Sequence, residues 1–169
     1  TYGIASAATT STEIWAAVSM VDSITGEPTT YSNYSIHGEA GTSTYQTRDT
    51  TYTYDAEGRM TSSVNFRGDT TSYGSVAVVA AAKGFIWAAK NKQDSITDEW
   101  TDYKNYNIHG EAGTSTYQGR ATDYTYDTAT GRMLTSVNFR GDRTDYASVS
   151  APATSTGNIW AAATMTDFI

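Results

Sequence analysis

Between residues 60 and 67 the side chains alternate in character. Val64 and Phe66 share one parity, Ser63, Asn65 and Arg67 share the other, and Val137/Phe139 against Ser136/Asn138/Arg140 repeats the pattern. Neighbouring side chains of a strand point to opposite faces, so these segments are predicted as strands with one core face and one polar face. Runs rich in Tyr, Thr, Val and Trp, separated by Gly and with only two prolines in the chain, favour short strands over helices.

Between such runs, Asp55-Ala56-Glu57-Gly58 and Asp127-Thr128-Ala129-Thr130-Gly131 read as hairpin turns, because a late Gly supplies the positive φ that tight hairpins require. Arg67-Gly68-Asp69 and Arg140-Gly141-Asp142 fall where the next strand pair turns or bulges. An RGD tripeptide recurs by chance, and its place at a strand end favours a turn over an adhesion signal. In the segment around Ile14, the residues Ile14, Ala16, Val18 and Met20 form an apolar stripe. The same parity gives Ile86, Ala88, Lys90 and Lys92 further on, so only the first half reads as invariant core. Trp15, Trp87 and Trp160 then take the opposite face, where they either meet a ligand or close one end of the core.

These patterns come in copies. The eleven-residue string IHGEAGTSTYQ at residues 36–46 recurs letter for letter at 108–118, and His37 to His109, Asp22 to Asp94 and Trp15 to Trp87 all span 72 residues. After the YTYD strings the second copy carries one extra residue, so Arg67 to Arg140 spans 73; a one-residue length change there marks a turn. Ile-Trp-Ala-Ala appears a third time at 159–162, after Tyr-led stretches beginning at Tyr2, Tyr73 and Tyr146. We read one β domain over 1–169 with repeat 1 about 2–72, repeat 2 about 73–145 and a closing partial repeat about 146–169. The expected fold is all-β: an antiparallel barrel or sandwich with pseudo-two-fold symmetry, roughly five or six strands per repeat, whose last strand covers an otherwise open sheet edge.

The string YTYDAEGRM resembles the hairpin of bacterial YD or Rhs repeats, in which Tyr-Asp and Gly-Arg punctuate successive strands. The resemblance covers a small part of each repeat, and YD arrays recur at a much shorter interval than 72. It implies a shared hairpin solution and carries no function with it.

The chain has 169 residues, enough to bury a substantial core. Hydrophobic residues make up 38% and charged residues 17%, so solubility rests mainly on hydroxyl and amide groups. A net charge of −7 with a pI near 4.6 argues against nucleic-acid partners, which require clustered Lys and Arg. Without cysteine there is neither a disulfide framework nor a thiolate metal site. No run approaches the ~20 apolar residues of a spanning helix, and TYGIASAATT at the start lacks the basic region of a signal peptide. A soluble chain without membrane insertion, in a secreted or extracellular setting, is the expectation. The sequon Asn33-Tyr34-Ser35 is not shared, because the second copy has Asn105-Tyr106-Asn107.

The two histidines, His37 and His109, lie in the duplicated string, and in an extended segment His37/Glu39 and His109/Glu111 project from one face. As catalytic pairs they lack a nucleophile or a second, environmentally distinct carboxylate. As metal sites they fall short of the roughly three or four ligands zinc uses. The bland alternative is that each pair hydrogen-bonds neighbouring strands. A binding reading gathers more residues kept between copies: Tyr45 and Tyr117, Asn65 and Asn138, Arg67 and Arg140, Asp69 and Asp142, with Trp15 and Trp87 as further stacking surfaces. Sugars fit such a set, because their hydroxyls pair with Asp, Asn, Glu and Arg while their C–H faces stack on Tyr or Trp.

The sequence therefore predicts a divalent lectin without cofactor, metal or catalysis. It has one site per repeat built from the HGE loop and the NFRGD strand end, binds glycans or glycoproteins and is compatible with a homodimer. Tandem-repeat barrel lectins of cyanobacteria and red algae are similar in architecture; their glycine- and tryptophan-rich motifs are absent here. The rivals are a lipocalin- or avidin-like barrel around one apolar ligand and a structural or adhesive β protein whose polar faces pair between molecules.

Overall fold

A computed structural model describes residues 1–7, 13–79, 84–150 and 158–168. The middle of the closing partial repeat, 151–157, therefore lies outside the described residues. Those residues form fifteen strands and no helix. The chain divides into two compact units, one of Thr1–Gly74 with Lys92–Asp98 and the other of Ser75–Asn91 with Glu99–Ile169.

In the first unit, β1 (Tyr2–Ser6) and β2 (Glu13–Ala17) form a hairpin of their own. Then β3 (Ser19–Val21), β4 (Pro28–Ser32), β5 (Thr42–Tyr45), β6 (Arg48–Tyr54), β7 (Met60–Val64) and the start of β8 (Thr70–Ala77) pair antiparallel in chain order. The second unit takes the end of β8 and most of β9 (Phe85–Gln93). It continues through β10 (Trp100–Tyr106), β11 (Ala112–Tyr117), β12 (Arg120–Tyr126), β13 (Met133–Val137), β14 (Arg143–Ser150) and β15 (Asn158–Thr166). From β10 to β15 these are also antiparallel neighbours in chain order.

The fold is all-β and antiparallel, as the alternation predicts, but the expected barrel does not form. In neither unit does a described last strand pair back onto the first; from β3 to β8 and from β10 to β15 each strand pairs with its neighbour in the chain, and the order never returns to its start.

The core of each unit is small and is organised by a tyrosine. Tyr34, Ala7 and Ala16 are buried in the first unit, Tyr106 and Ala88 in the second. The Tyr34 hydroxyl donates to the carbonyls of Ala17 (2.7 Å) and Tyr31 (2.9 Å), and that of Tyr106 reaches Ala89 and Tyr103 in the same way. Parallel bridges pair the backbone at Tyr34 with Ala7 and at Tyr106 with Val78, each just beyond the end of an earlier strand. The invariant half of the Ile-Trp-Ala-Ala stripe follows: Ala16 and Ala88 are buried, whereas Trp15 on the opposite parity is 72% exposed.

The expected two-faced burial of residues 60–67 is overturned. Residues of β7 and β13 are half-buried on both faces, and Phe66 and Phe139 lie beyond the strand end, each 55% exposed. The strand stops because Asn65 and Asn138 start a turn with their own side chains.

Candidate functional site

The site nearest to the histidines is built by the loop between β4 and β5. Ser35 starts its turn: the hydroxyl oxygen accepts the N–H groups of His37 (3.0 Å) and Glu39 (3.3 Å) and donates to the Glu39 carboxylate. In the second unit Asn107 does the first part of this work, its Oδ1 accepting from His109 N–H (2.9 Å) and Glu111 N–H (3.1 Å). Both loops lie against the hairpin turn that follows β6 or β12. His37 Nε2 is 3.3 Å from the Ala56 carbonyl oxygen and His109 Nε2 is 3.1 Å from that of Thr128. That turn is held by an aspartate; Asp55 Oδ1 accepts from the N–H of Glu57 and Arg59, and Asp127 Oδ1 from Ala129 and Thr130.

One glycine of the duplicated string is required by close approach. Gly41 N–H donates to Asn33 O at 3.0 Å, and a Cβ added at Gly41 or Gly113 meets the carbonyl oxygen of Asn33 or Asn105 at 2.4 or 2.6 Å. Part of the letter-for-letter identity is thus backbone geometry. Ile36 and Ile108 are different, being 58% and 60% exposed with no core to fill.

These loops roof an open cleft in each unit. In the first, a space of about 470 Å³ is lined by Asn33, Ile36, His37, Tyr52 and Tyr54, among others. In the second, about 390 Å³ is lined by Asn105, Asn107, Ile108, His109, Tyr124 and Tyr126, among others. Tyrosines two apart on a strand share a face, so each YTY string presents two rings to its cleft. Their hydroxyls are engaged with protein. Tyr54 and Tyr126 donate to the carbonyls of Ala40 (2.9 Å) and Ala112 (3.0 Å), and Tyr52 and Tyr124 bond Ser43 and Ser115 at 2.8 Å. Burial, and next the neighbouring Tyr124, pushes the Tyr126 hydroxyl up to about 12.

The other sequence-predicted residues lie elsewhere. The NFRGD turn follows β7, whereas the turn under His37 precedes it, so the two sit at opposite ends of a five-residue strand, about 16 Å at ~3.3 Å per residue. At that far end Asn65 Oδ1 accepts from Arg67 N–H (2.9 Å) and Asp69 N–H (3.0 Å), and its amide donates to Asp69 Oδ2 (2.9 Å). The Arg67 guanidinium pairs with the same carboxylate. Asp69 is only 3% exposed and accepts Ser95 N–H (3.1 Å) and Oγ–H (3.0 Å). Those bonds, led by Ser95 N–H and the Asn65 amide, hold its carboxyl far below the usual carboxylate range. Asn138, Arg140 and Asp142 repeat the arrangement, with Phe168 N–H in the role of Ser95.

Tyr45 and Tyr117 end β5 and β11 opposite Arg48 and Arg120, whose guanidinium groups stand 4.8 and 5.0 Å from the Phe66 and Phe139 ring centres. They share the NFRGD end and stand apart from the clefts. Trp15 and Trp87 line neither cleft, and Trp160 donates to the Met133 carbonyl at 2.8 Å beneath Arg132. His37 and His109 are thus the sequence-predicted residues that line the clefts, with Glu39 and Glu111 packed beside them against Gly58 and Gly131. Sequence reasoning missed the tyrosines of YTYD and the exposed isoleucines; the two-residue Tyr spacing was the available signal. Among the described residues no group of three or more His, Cys, Asp or Glu is placed to hold a metal ion.

No protein-family model matches the chain, and no curated protein matches it. A solved structure described as "Crystal Structure of TcdB2-TccC3-Cdc42" is similar at 14% identity and a TM-score of 0.35, over 74% of this chain. The matched part is 7% of that other chain, so this chain spans a small fraction of its length. A likeness of that size carries no argument about function.

Proposed function

We propose that the chain is a carbohydrate-binding protein that acts without catalysis, with one glycan cleft in each of two tandem repeats related as pseudo-two-fold copies and a partial third repeat closing the array. The observation that carries this reading is the cleft lining: two tyrosine rings on one strand face, an exposed isoleucine, an asparagine and a histidine, present in both units. Ring faces stack against sugar C–H groups, and His and Asn at the rim meet hydroxyls. Because the tyrosine hydroxyls are bonded to protein, the rings are held before ligand arrives, which reduces the ordering cost of binding. The clefts are open, which suits an extended glycan better than an enclosed apolar molecule. Asn65, Arg67, Asp69 and their counterparts shape a distant turn on this reading.

Shallow sites of this kind bind a monosaccharide near the millimolar level, about −4 kcal/mol, and two of them raise avidity for a multivalent glycan by ~10²–10⁴. The test is a broad glycan array with the full chain and the double variant His37→Gln/His109→Gln. Binding to a defined glycan class that the variant loses supports the reading; a blank array from well-folded protein overturns it. A second reading, a structural β scaffold, is favoured by the exposed apolar turn residues Ile24 and Ile96. Sedimentation of a concentrated sample that stays monomeric counts against it.

A further inference from the structure

The two clefts differ at one residue that matters. In the first, Ser35 donates its hydroxyl to Glu39 Oε2, which closes the polar floor of the loop on itself. In the second, Asn107 stands in place of Ser35. Its Oδ1 is used by the N–H groups of His109 and Glu111, while Asn107 Nδ2 and Glu111 Oε2 are buried and have no hydrogen-bond partner among the described residues. Asn107 itself lines the second cleft. A buried donor and a buried acceptor left unpaired, four residues apart on one loop, raise the free energy of the empty site and lower it when a partner arrives.

A hydroxyl is the group that fits such a pair, because it accepts with its lone pairs and donates its proton at once. An ammonium offers the amide nothing to donate to, and a carboxylate is repelled by Glu111. We infer that the second cleft is the tighter of the two and recognises a neutral, hydroxylated ring, one hydroxyl of which accepts from Asn107 Nδ2 and donates to Glu111 Oε2. Neither atom is exposed in the empty site and Glu111 does not line the cleft, so the side chains over them shift to admit the hydroxyl, Glu111 by turning its carboxylate about the soft terminal torsion of the side chain. The first cleft, already closed by Ser35, keeps its rings and its rim and lacks this extra pair. This inference rests on the carbohydrate reading and deepens it.

The copies supply their own controls, since Asn107→Ser and Ser35→Asn each install the residue that the sister loop carries in a folded setting. The experiment is a titration of ¹⁵N-labelled full chain with methyl glycosides of glucose, galactose, mannose and N-acetylglucosamine, followed through backbone and side-chain amide resonances. One of these sugars is expected to shift the Asn107 side-chain amide at lower concentration than any signal of the first cleft. Asn107→Ser should weaken that binding about tenfold, the size expected for one lost hydrogen bond, and Ser35→Asn should strengthen binding at the first cleft. Equal affinities in the two clefts, or an Asn107→Ser chain that binds as the parent does, overturn the inference and leave the carbohydrate reading standing. No shift in either cleft with any of the four sugars overturns both.

Discussion

The residue that organises each unit is a buried tyrosine with a hydroxyl bonded to two carbonyls. Tyr34→Phe keeps the ring and strands the oxygens of Ala17 and Tyr31; one such bond is worth about 1 kcal/mol net, so urea unfolding should show a loss of about 1–2 kcal/mol. Ala16 is buried in the same small core, and Ala16→Leu should cost about 1–3 kcal/mol by overpacking. Sequence alone revealed the small residues of Ile-Trp-Ala-Ala and the parity that turns Trp15 outward. It did not reveal Tyr34, because one tyrosine among thirteen carries no local mark of the parallel bridge at its backbone. Gly41→Ala tests the close approach in the duplicated string: the added methyl meets a backbone oxygen at 2.4 Å, and the variant should unfold at lower urea than Gly38→Ala, where the added atom meets nothing within 4 Å and only the positive φ opposes it.

Strands and turns show where pattern reading works and where it stops. The Asp-to-Gly hairpins and the RGD turns were legible because Asp, Asn and Gly act locally on their own backbone. Phe66 was misassigned to a core face because alternation continues in the letters after the strand has ended; Asn65 diverts the chain, and hydrophobic period carries no record of that. The same diversion puts the NFRGD end and the histidine loop at opposite ends of β7, a separation that residue spacing in sequence cannot convey.

The turns also set the response to acid. Asp69 and Asp142 are held below the ordinary carboxylate range, Asp69 first by Ser95 N–H and then by Asn65, and Asp142 first by Asn138 and then by Phe168 N–H. Between the folded and unfolded values the unfolded chain binds more protons, so this stability is present above about pH 4 and is lost as pH falls through the folded values. Asp69→Asn should lower the urea midpoint at pH 7 and flatten its decline below about pH 4. At the alkaline end, burial and then Tyr103 push Tyr106 up to about 12, and Tyr126 stands equally high. There the unfolded chain loses its proton first, so stability should fall between about pH 10 and 12, as urea midpoints paired with tyrosinate absorbance will show.

Among the described residues, β15 has a strand neighbour on one side alone and β3 meets only Thr1 on its outer side, and the buried core is small. Unpaired strand sides invite pairing with another molecule, and the net charge of −7 at neutral pH opposes it. Sedimentation velocity should therefore show association rising as the pH approaches 4.6 and receding towards neutrality. An all-β chain of short hairpins was foreseeable from composition and turns; closure was not, because the same alternation serves an open sheet and a barrel.

The carboxylates of Asp69 and Asp142 each take an N–H from a residue 26 positions downstream, Ser95 in one case and Phe168 in the other. Since the shared contact uses only the main chain, the joint accepts either side chain. Any residue but proline can therefore stand at either downstream position without losing this bond, so the sequence there is free to drift while the turn it anchors stays put.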